Sequence, residues 1–224
     1  MKKIDIQKIV FLGASTAFHE VSEIILAINK VKPTYEIVAI LDDNKDLIGQ
    51  SMRGIPVVGP LSDAINYTDC KFVFGIGSLR TRLLRQDIFN QLKLQPSQFP
   101  SIIHPSAVID HTAKIGFGCI IHPGVVIGND VTIENFVIIA VNSAVGPYAR
   151  VMNFAMITSL SLILSSAVIG QSTFVGSCSC ITEGIKVGAG SMIGVGTVVT
   201  RNLEDGVFVL GNPMRQISKV DINL

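Results

Sequence analysis

Between Ile103 and Val199 a β-branched apolar residue returns at every sixth position: Ile103, Ile109, Ile115, Ile121, Ile127, Ile133, Ile139, Val145, Val151, Ile157, Ile163, Ile169, Val175, Ile181, Val187, Ile193 and Val199. No slip interrupts the count. Two positions earlier the residue is mostly small, as at Ala107, Cys119, Ser143, Ala155, Ser161 and Ser179, and one position later it is often glycine, as at Gly116, Gly128, Gly146, Gly170, Gly176 and Gly188. A period of six matches neither the 3.6 of a helix nor the 2 of a flat strand. It predicts a parallel β-helix, in which stiff β-branched side chains fill a narrow prism. Three units close one coil, so these seventeen units make between five and six coils. The small residues and glycines are placed at the corners, where the backbone turns and needs φ > 0.

The first hundred residues follow a different pattern. Ile9 to Leu12 is an apolar run ending in Gly13 and predicts a buried strand followed by a turn. Ser15 or Thr16 then caps a helix whose Phe18, Val21, Ile24, Ile25, Ile28 and Val31 recur at helical spacing, and Pro33 ends it. Strands are expected over Glu36–Leu41, Ile55–Val58 and Lys71–Phe74, with a short helix after Pro60. Ser78 is read as the cap of a second helix carrying Leu84, Ile88 and Leu92. Pro96 and Pro100 mark a linker. The organisation is therefore a βαβ domain over residues 1–100 and a β-helix domain over 101–224, closed by a last strand Val207–Leu210 and a Gly211-Asn212-Pro213 turn.

Composition narrows the function classes. A net charge of +1 and no basic face argue against a nucleic-acid partner. Cys70, Cys119, Cys178 and Cys180 lack metal-ligand pairing and read as reduced thiols, which with no signal peptide places the chain in the cytoplasm. Val151 to Thr182 contains no charged residue, and part of it resembles a membrane span by hydropathy. The unbroken hexads reject that reading. An uncharged outer surface of this length instead points to cover by protein, hence to an oligomer.

Ligands of open α/β sheets bind beyond the carboxyl ends of the strands. Here those ends are Gly13 to Thr16, Asp42-Asp43 and Gly75 to Ser78. Amides near Gly13 suit a phosphate, and the aspartates suit nucleoside donors, although the strict three-glycine dinucleotide fingerprint is missing. In the β-helix, positions eighteen residues apart stack about 4.8 Å from one another. One corner column then holds His111, Asn129, Pro147, Ser165, Glu183 and Arg201, and its neighbour holds Thr112, Asp130, Tyr148, Ser166, Gly184 and Asn202. His104, His111 and His122 are read as lying on separate columns, so no metal site is expected. His104 is assigned a structural contact at the domain junction, and His19 a solvent-facing place on the first helix.

The βαβ opening, the Ile103-His104-Pro105-Ser106-Ala107 start, the hexads and the Gly188 to Arg215 tail resemble the group of sialic-acid O-acetyltransferases and bacterial nucleotide-aminosugar N-acetyltransferases. The resemblance implies an α/β N-terminal Rossmann-like βαβ domain followed by a left-handed parallel β-helix of hexapeptide repeats. It further implies a homotrimer that takes acetyl-CoA as acyl donor between neighbouring β-helices, a nucleotide-sugar in the N-terminal domain, and surface-glycan synthesis as the setting. Carried over by position, the nucleotide-sugar residues are Gly13, Ser15, Thr16, Asp42, Asp43, Gly75 and Gly77. The CoA residues are Met156, Ser165, Ser166, Gly184, Arg201, Gly211 and Pro213. The family's catalytic His and its acidic neighbour fall on Pro147 and Tyr148. Neither supplies a base at neutral pH, so the catalytic residue is unknown, and a silent member that binds nucleotide-sugar or CoA, or assembles with a partner, stands as the alternative.

Overall fold

The computed structural model describes residues 6–220. The chain opens with β1 (Gln7–Leu12), α1 (Thr16–Val31) and β2 (Tyr35–Leu41), then the short β3 (Ser51–Met52), β4 (Ile55–Gly59) and β5 (Lys71–Phe74). They form one five-stranded sheet in the order β3-β4-β2-β1-β5, parallel except for the β3–β4 pair. β1 is an interior strand, between β2 and β5, because Ile9, Val10, Phe11 and Leu12 are apolar on both faces, and all four are fully buried. Ser15 caps α1 by accepting the Ala17 N–H at 3.3 Å. Phe18, Val21, Ile24 and Ile25 of α1 pack on one face of the sheet with Ile40, Val57 and Val73.

The second expected helix is shorter than its sequence pattern. It spans Arg85–Gln91 (α2), and Ser78 caps a preceding turn instead, exchanging hydrogen bonds with Thr81: the Thr81 N–H donates to Ser78 Oγ and the Ser78 N–H to Thr81 Oγ1. Ser78 and Thr81 satisfy each other locally, so the chain does not need to enter a helix at that point.

From Ile102 to Val199 the hexads form seventeen two-residue strands, and all but the last three pair in parallel with the strand eighteen residues on, as Val126 with Ala144 and Ile138 with Met156. They divide into three sheets, so each coil gives one strand to each face of a prism. From Ile121 onward every register Ile or Val is at most 2% exposed, whereas Ile103, Ile109 and Ile115 are half-buried because no coil stacks above them. Serines and threonines two positions earlier are also buried. All but Thr197 donate the hydroxyl to a carbonyl of the following coil, for example Ser161 Oγ to Gly176 O at 3.0 Å and Thr173 Oγ1 to Gly188 O at 2.8 Å, while Thr197 Oγ1 accepts from the Gly211 N–H. At the far end Val207–Leu210 pairs with Met192-Ile193, and a strand not foreseen from sequence, Arg215–Lys219, folds back antiparallel on it.

The corners correct the glycine assignment. Left-handed residues recur three positions after the register residue, at Asp130, Phe136, Asn142, Tyr148, Phe154, Leu160 and Ser166, with φ between 54° and 62°. The glycines one position after the register are not left-handed. Gly170 and Gly176 are there because a Cβ would meet backbone of the next coil at 2.5 and 2.7 Å. Close stacking selects them, and conformation does not.

The two parts share a core. Phe99, Phe136 and Phe154 pack with Phe72, Phe74 and Leu12, Phe136 and Phe154 being stacked with centroids 5.0 Å apart. On the other side of the sheet, Ile102 and Ile120 join Ile9, Phe11 and Phe18. The N-terminal sheet therefore grips the first coils, and its strand ends are fixed relative to them.

Candidate functional site

The carboxyl ends of β1, β2 and β5 open into a crevice of about 250 Å³ lined by Gly13, Ser15, Thr16, Asp42, Asp43 and Gly77, together with Leu61, Ile76, Ser78 and Thr81. Of the nucleotide-sugar residues carried over by position, only Gly75 is absent from the wall. It lies beneath, where a Cβ would sit 2.0 Å from the Phe11 ring, so only glycine lets the two strand ends approach. Ile76 and Ser78 belong to the expected strand end Gly75 to Ser78, whereas Leu61 and Thr81 were not singled out by sequence. Their signal was adjacency in the chain to the predicted strand ends.

Hydrogen bonding in this crevice is different from the sequence expectation. The Gly13 N–H donates to Leu41 O at 2.8 Å and the Ser15 N–H to Gly13 O at 3.1 Å. The Ala14 N–H donates to Asp42 Oδ2 at 2.6 Å, and the other oxygen of that carboxylate accepts from Asn44 N–H at 2.8 Å. Asp43 Oδ1 accepts from the Leu61 N–H at 2.9 Å. The amides near Gly13 are thus already engaged, and the Asp42 carboxylate stands where a phosphate would meet Ala14. Among the described residues, the Ile76 and Gly77 amides on the opposite wall have no intramolecular acceptor.

The corner column runs as spaced. Tyr148, Ser166 and Gly184 stack with φ of 62°, 60° and 70°. Pro147 lies half-buried over Gly128, and its carbonyl accepts from Ser166 N–H at 2.8 Å; Tyr148 is 62% exposed. The Ser165 N–H has no intramolecular acceptor among the described residues, so it is free to face a carbonyl. Ser165, Ser166, Gly184 and Arg201 share this corner. Met156 does not: it is 8% exposed on another face, with its methyl 3.5 Å from where a Gly77 Cβ would be. Gly211 is at the far end, its N–H donating to Thr197 Oγ1 at 3.0 Å, followed by Pro213 after a cis peptide bond. A single chain therefore presents the seven CoA positions in three separate places. Glu183 on this column is exposed, and His111 is 92% exposed with Asp110 3.5 Å away.

The reading of the histidines is corrected in one respect. His104 and His122 are eighteen residues apart, stack on one column, and line a cleft of about 500 Å³ between α1 and the coil corners with Glu20, Lys30 and Ser159. Burial holds the His122 imidazole below the ordinary histidine value; the Glu20 charge opposes this and His104 adds to it. His104 Nδ1 accepts from the Ser106 N–H at 3.0 Å, a local structural contact. His19 is exposed and pairs with Arg53 Nε at 3.1 Å. No three His, Cys, Asp or Glu among the described residues are grouped to hold a metal. This cleft is the larger of the two, whereas the crevice combines free amides, hydroxyls and the carboxyl ends of the strands.

Residues 8–92 match the family described as the PglD N-terminal domain. The structure is similar over 97% of its length, and 100% of the other chain, to a mutant perosamine N-acetyltransferase from Caulobacter crescentus solved with CoA and GDP-perosamine, at 25% identity and a TM-score of 0.83. PerB from the same organism, also with CoA and GDP-perosamine, matches at 26% identity, 96% and 100% coverage and a TM-score of 0.81. The acetyltransferase domain of PglB from Neisseria gonorrhoeae, solved with acetyl coenzyme A, shares the fold at 23% identity, 95% and 100% coverage and a TM-score of 0.83. No curated protein matches by sequence. The fold is the expected α/β domain followed by a left-handed β-helix, the parallel β-helix being read from the hexads and its hand from the resemblance.

Proposed function

We propose that this chain, a member of the bacterial nucleotide-aminosugar acetyltransferase family, is an acyl-CoA-dependent transferase acting on a nucleotide-linked amino sugar in surface-glycan synthesis. The observation that carries this reading is end-to-end agreement with the two-part architecture of an enzyme solved with CoA and GDP-perosamine. The crevice at the strand ends takes the nucleotide. Ser165, Ser166, Gly184 and Arg201 form the wall for the acyl donor, with acetyl-CoA as the expected donor and no metal.

The chemistry is an acyl transfer. The acceptor nitrogen attacks the thioester carbonyl, the Ser165 N–H stabilises the developing oxyanion, the thiolate leaves, and the nitrogen's proton passes to water. Pro147 and Tyr148 supply no base, so orientation carries the rate. The test is thiol release from acetyl-CoA with a panel of amino and hydroxyl nucleotide-sugars. Release no faster than hydrolysis with every acceptor rejects the enzyme reading.

Pro147 also favours the second reading, a silent member that keeps binding and has lost the base. Pro147→His with Tyr148→Asp discriminates. Asp tolerates the left-handed φ of 62° at position 148 better than most residues, so the corner survives the change. A large gain in turnover shows intact binding and a missing base, whereas a native enzyme that gains nothing removes the silent reading.

The finer assignments are a homotrimer in the cytoplasm. Val108, Val126 and Leu162 stack on one face, 63%, 46% and 45% exposed, with Leu160 and Leu164 beside them. A second copy covers this stripe, and light scattering should give three chains per particle. No helix among the described residues is long and apolar enough to cross a membrane.

A further inference from the structure

Arg85 is the first residue of α2, and it is fully buried. Its guanidinium donates to three backbone carbonyls: Nε to Ile76 O, one terminal nitrogen to Phe154 O and the other to Phe136 O, each at 2.9 Å. The Phe74 and Phe154 rings flank it, each centroid 5.7 Å from Cζ. No carboxylate pairs with it among the described residues. Burial lowers its pKa to about 10, so it is still charged at neutral pH. A buried cation satisfied by carbonyls alone keeps its net charge uncompensated within the protein, an arrangement that is costly unless a counter-charge comes from elsewhere.

Its contact with Ile76 has a geometric result. A trans peptide is planar, and its C=O and N–H point in opposite directions. Arg85 draws the Ile76 carbonyl toward the junction with the β-helix, so the N–H of the same peptide unit, that of Gly77, points away from it. Gly77 lines the crevice, and its amide has no intramolecular acceptor among the described residues. The distance is short, since Arg85 Nε lies 3.7 Å from where a Gly77 Cβ would be. On the opposite wall the amides of Gly13, Ala14 and Ser15 are engaged, and Asp42 adds a negative charge. An anion therefore meets the Gly77 amide and the positive field of Arg85 on one wall, facing the Thr16 amide at the start of α1, which also has no acceptor among the described residues, on the other.

We propose that Arg85 is the positioning residue of an anion subsite at the Gly77 amide: it turns the Ile76–Gly77 peptide toward the crevice, and its unpaired charge holds the phosphate or diphosphate of the ligand there. This deepens, and rests on, the reading of the crevice as the nucleotide site. The diphosphate is the counter-charge that the fold leaves out.

The experiment is calorimetric titration of the full chain and its Arg85→Lys and Arg85→Gln variants with UDP, GDP and dTDP, their parent nucleosides, and inorganic pyrophosphate. Arg85→Gln should weaken nucleoside diphosphates and pyrophosphate by about tenfold or more, change nucleosides by less than about twofold, and leave Arg85→Lys nearer the native protein. Equal losses for nucleosides and diphosphates would mean that Arg85 merely holds the fold, and would overturn the proposal. Arg85-dependent pyrophosphate binding without any nucleoside binding leaves the anion subsite standing and removes the nucleotide reading. A native protein that binds none of these ligands removes both. If the Gln variant does not fold, amide NMR of the native protein decides: the Gly77 N–H should move downfield on adding pyrophosphate, and an unmoved Gly77 beside shifting Gly13 or Ala14 signals contradicts the assignment.

Discussion

Gly170 and Gly196 differ in what stands before their absent side chains. Gly170 has ordinary φ but faces the Ala189 nitrogen at 2.5 Å, while Gly196 has φ of 69° and open space. Gly196→Ala should cost about 1 kcal/mol, the strain of a left-handed residue, and Gly196→Asn less. Gly170→Ala pushes two coils apart and should cost about 1–3 kcal/mol, with no relief from Asn. Urea unfolding of the five proteins, wild type included, checks the order. His122 makes a second prediction at this scale. Its pKa in the fold is depressed by burial, so the unfolded chain takes a proton first as pH falls. Its contribution is fully present above the unfolded value of about 6.5 and declines below it. Melting temperature should fall on acidification from pH 7 to 5, and His122→Asn should flatten that slope; parallel slopes would contradict it. The eighteen-residue spacing of His104 and His122 was present in the sequence. The partner of the Ala14 amide was not, because it depends on how Asp42 folds back across a crevice that spacing does not describe.

Elements were legible where a repeated side-chain pattern meets a repeated environment. The seventeen hexads gave every strand of the prism, since an Ile or Val at each register position has only the interior to occupy. Replacing Ile157, fully buried at mid-solenoid, with Ala should cost about 2–5 kcal/mol, read from the urea midpoint at unchanged slope. Short elements without a pattern escaped: β3 has two residues, and Arg215–Lys219 is exposed throughout, so neither has an apolar signature. α2 was overextended because Leu84, Ile88 and Leu92 keep helical spacing while Ser78 and Thr81 close a turn before them. For α1 the cap was legible, and Ser15→Ala should lower stability by about 1 kcal/mol by leaving the Ala17 amide without its acceptor.

For the whole molecule, the shared core of Phe72, Phe74, Phe99, Phe136 and Phe154 leaves little freedom between crevice and prism. Thermal unfolding should therefore show one transition followed equally by probes in either part; two separated transitions would mean that the halves fold independently. This coupling was not visible in the sequence, where Pro96 and Pro100 read as a linker. The register predicts what lies inside the prism but not which outer residues a neighbouring sheet covers. Phe136 and Phe154 sit at left-handed corners, where a small residue is ordinarily expected, and they are there because the N-terminal domain covers that corner.

The stacking of identical coils makes the solenoid a ruler with discrete marks. The N-terminal domain holds the solenoid from its first coil as far as Gln171, which donates to Gln86, and the Val207–Leu210 cap holds only the last. Between these anchors, removing or adding eighteen residues shifts the Gly211 turn by one mark of about 4.8 Å and leaves every face in phase. A number of residues that is not a multiple of eighteen rotates one end against the other. The span available to an extended donor along the corner can thus change only in whole marks, so its length is set by the count of coils rather than by any single side chain.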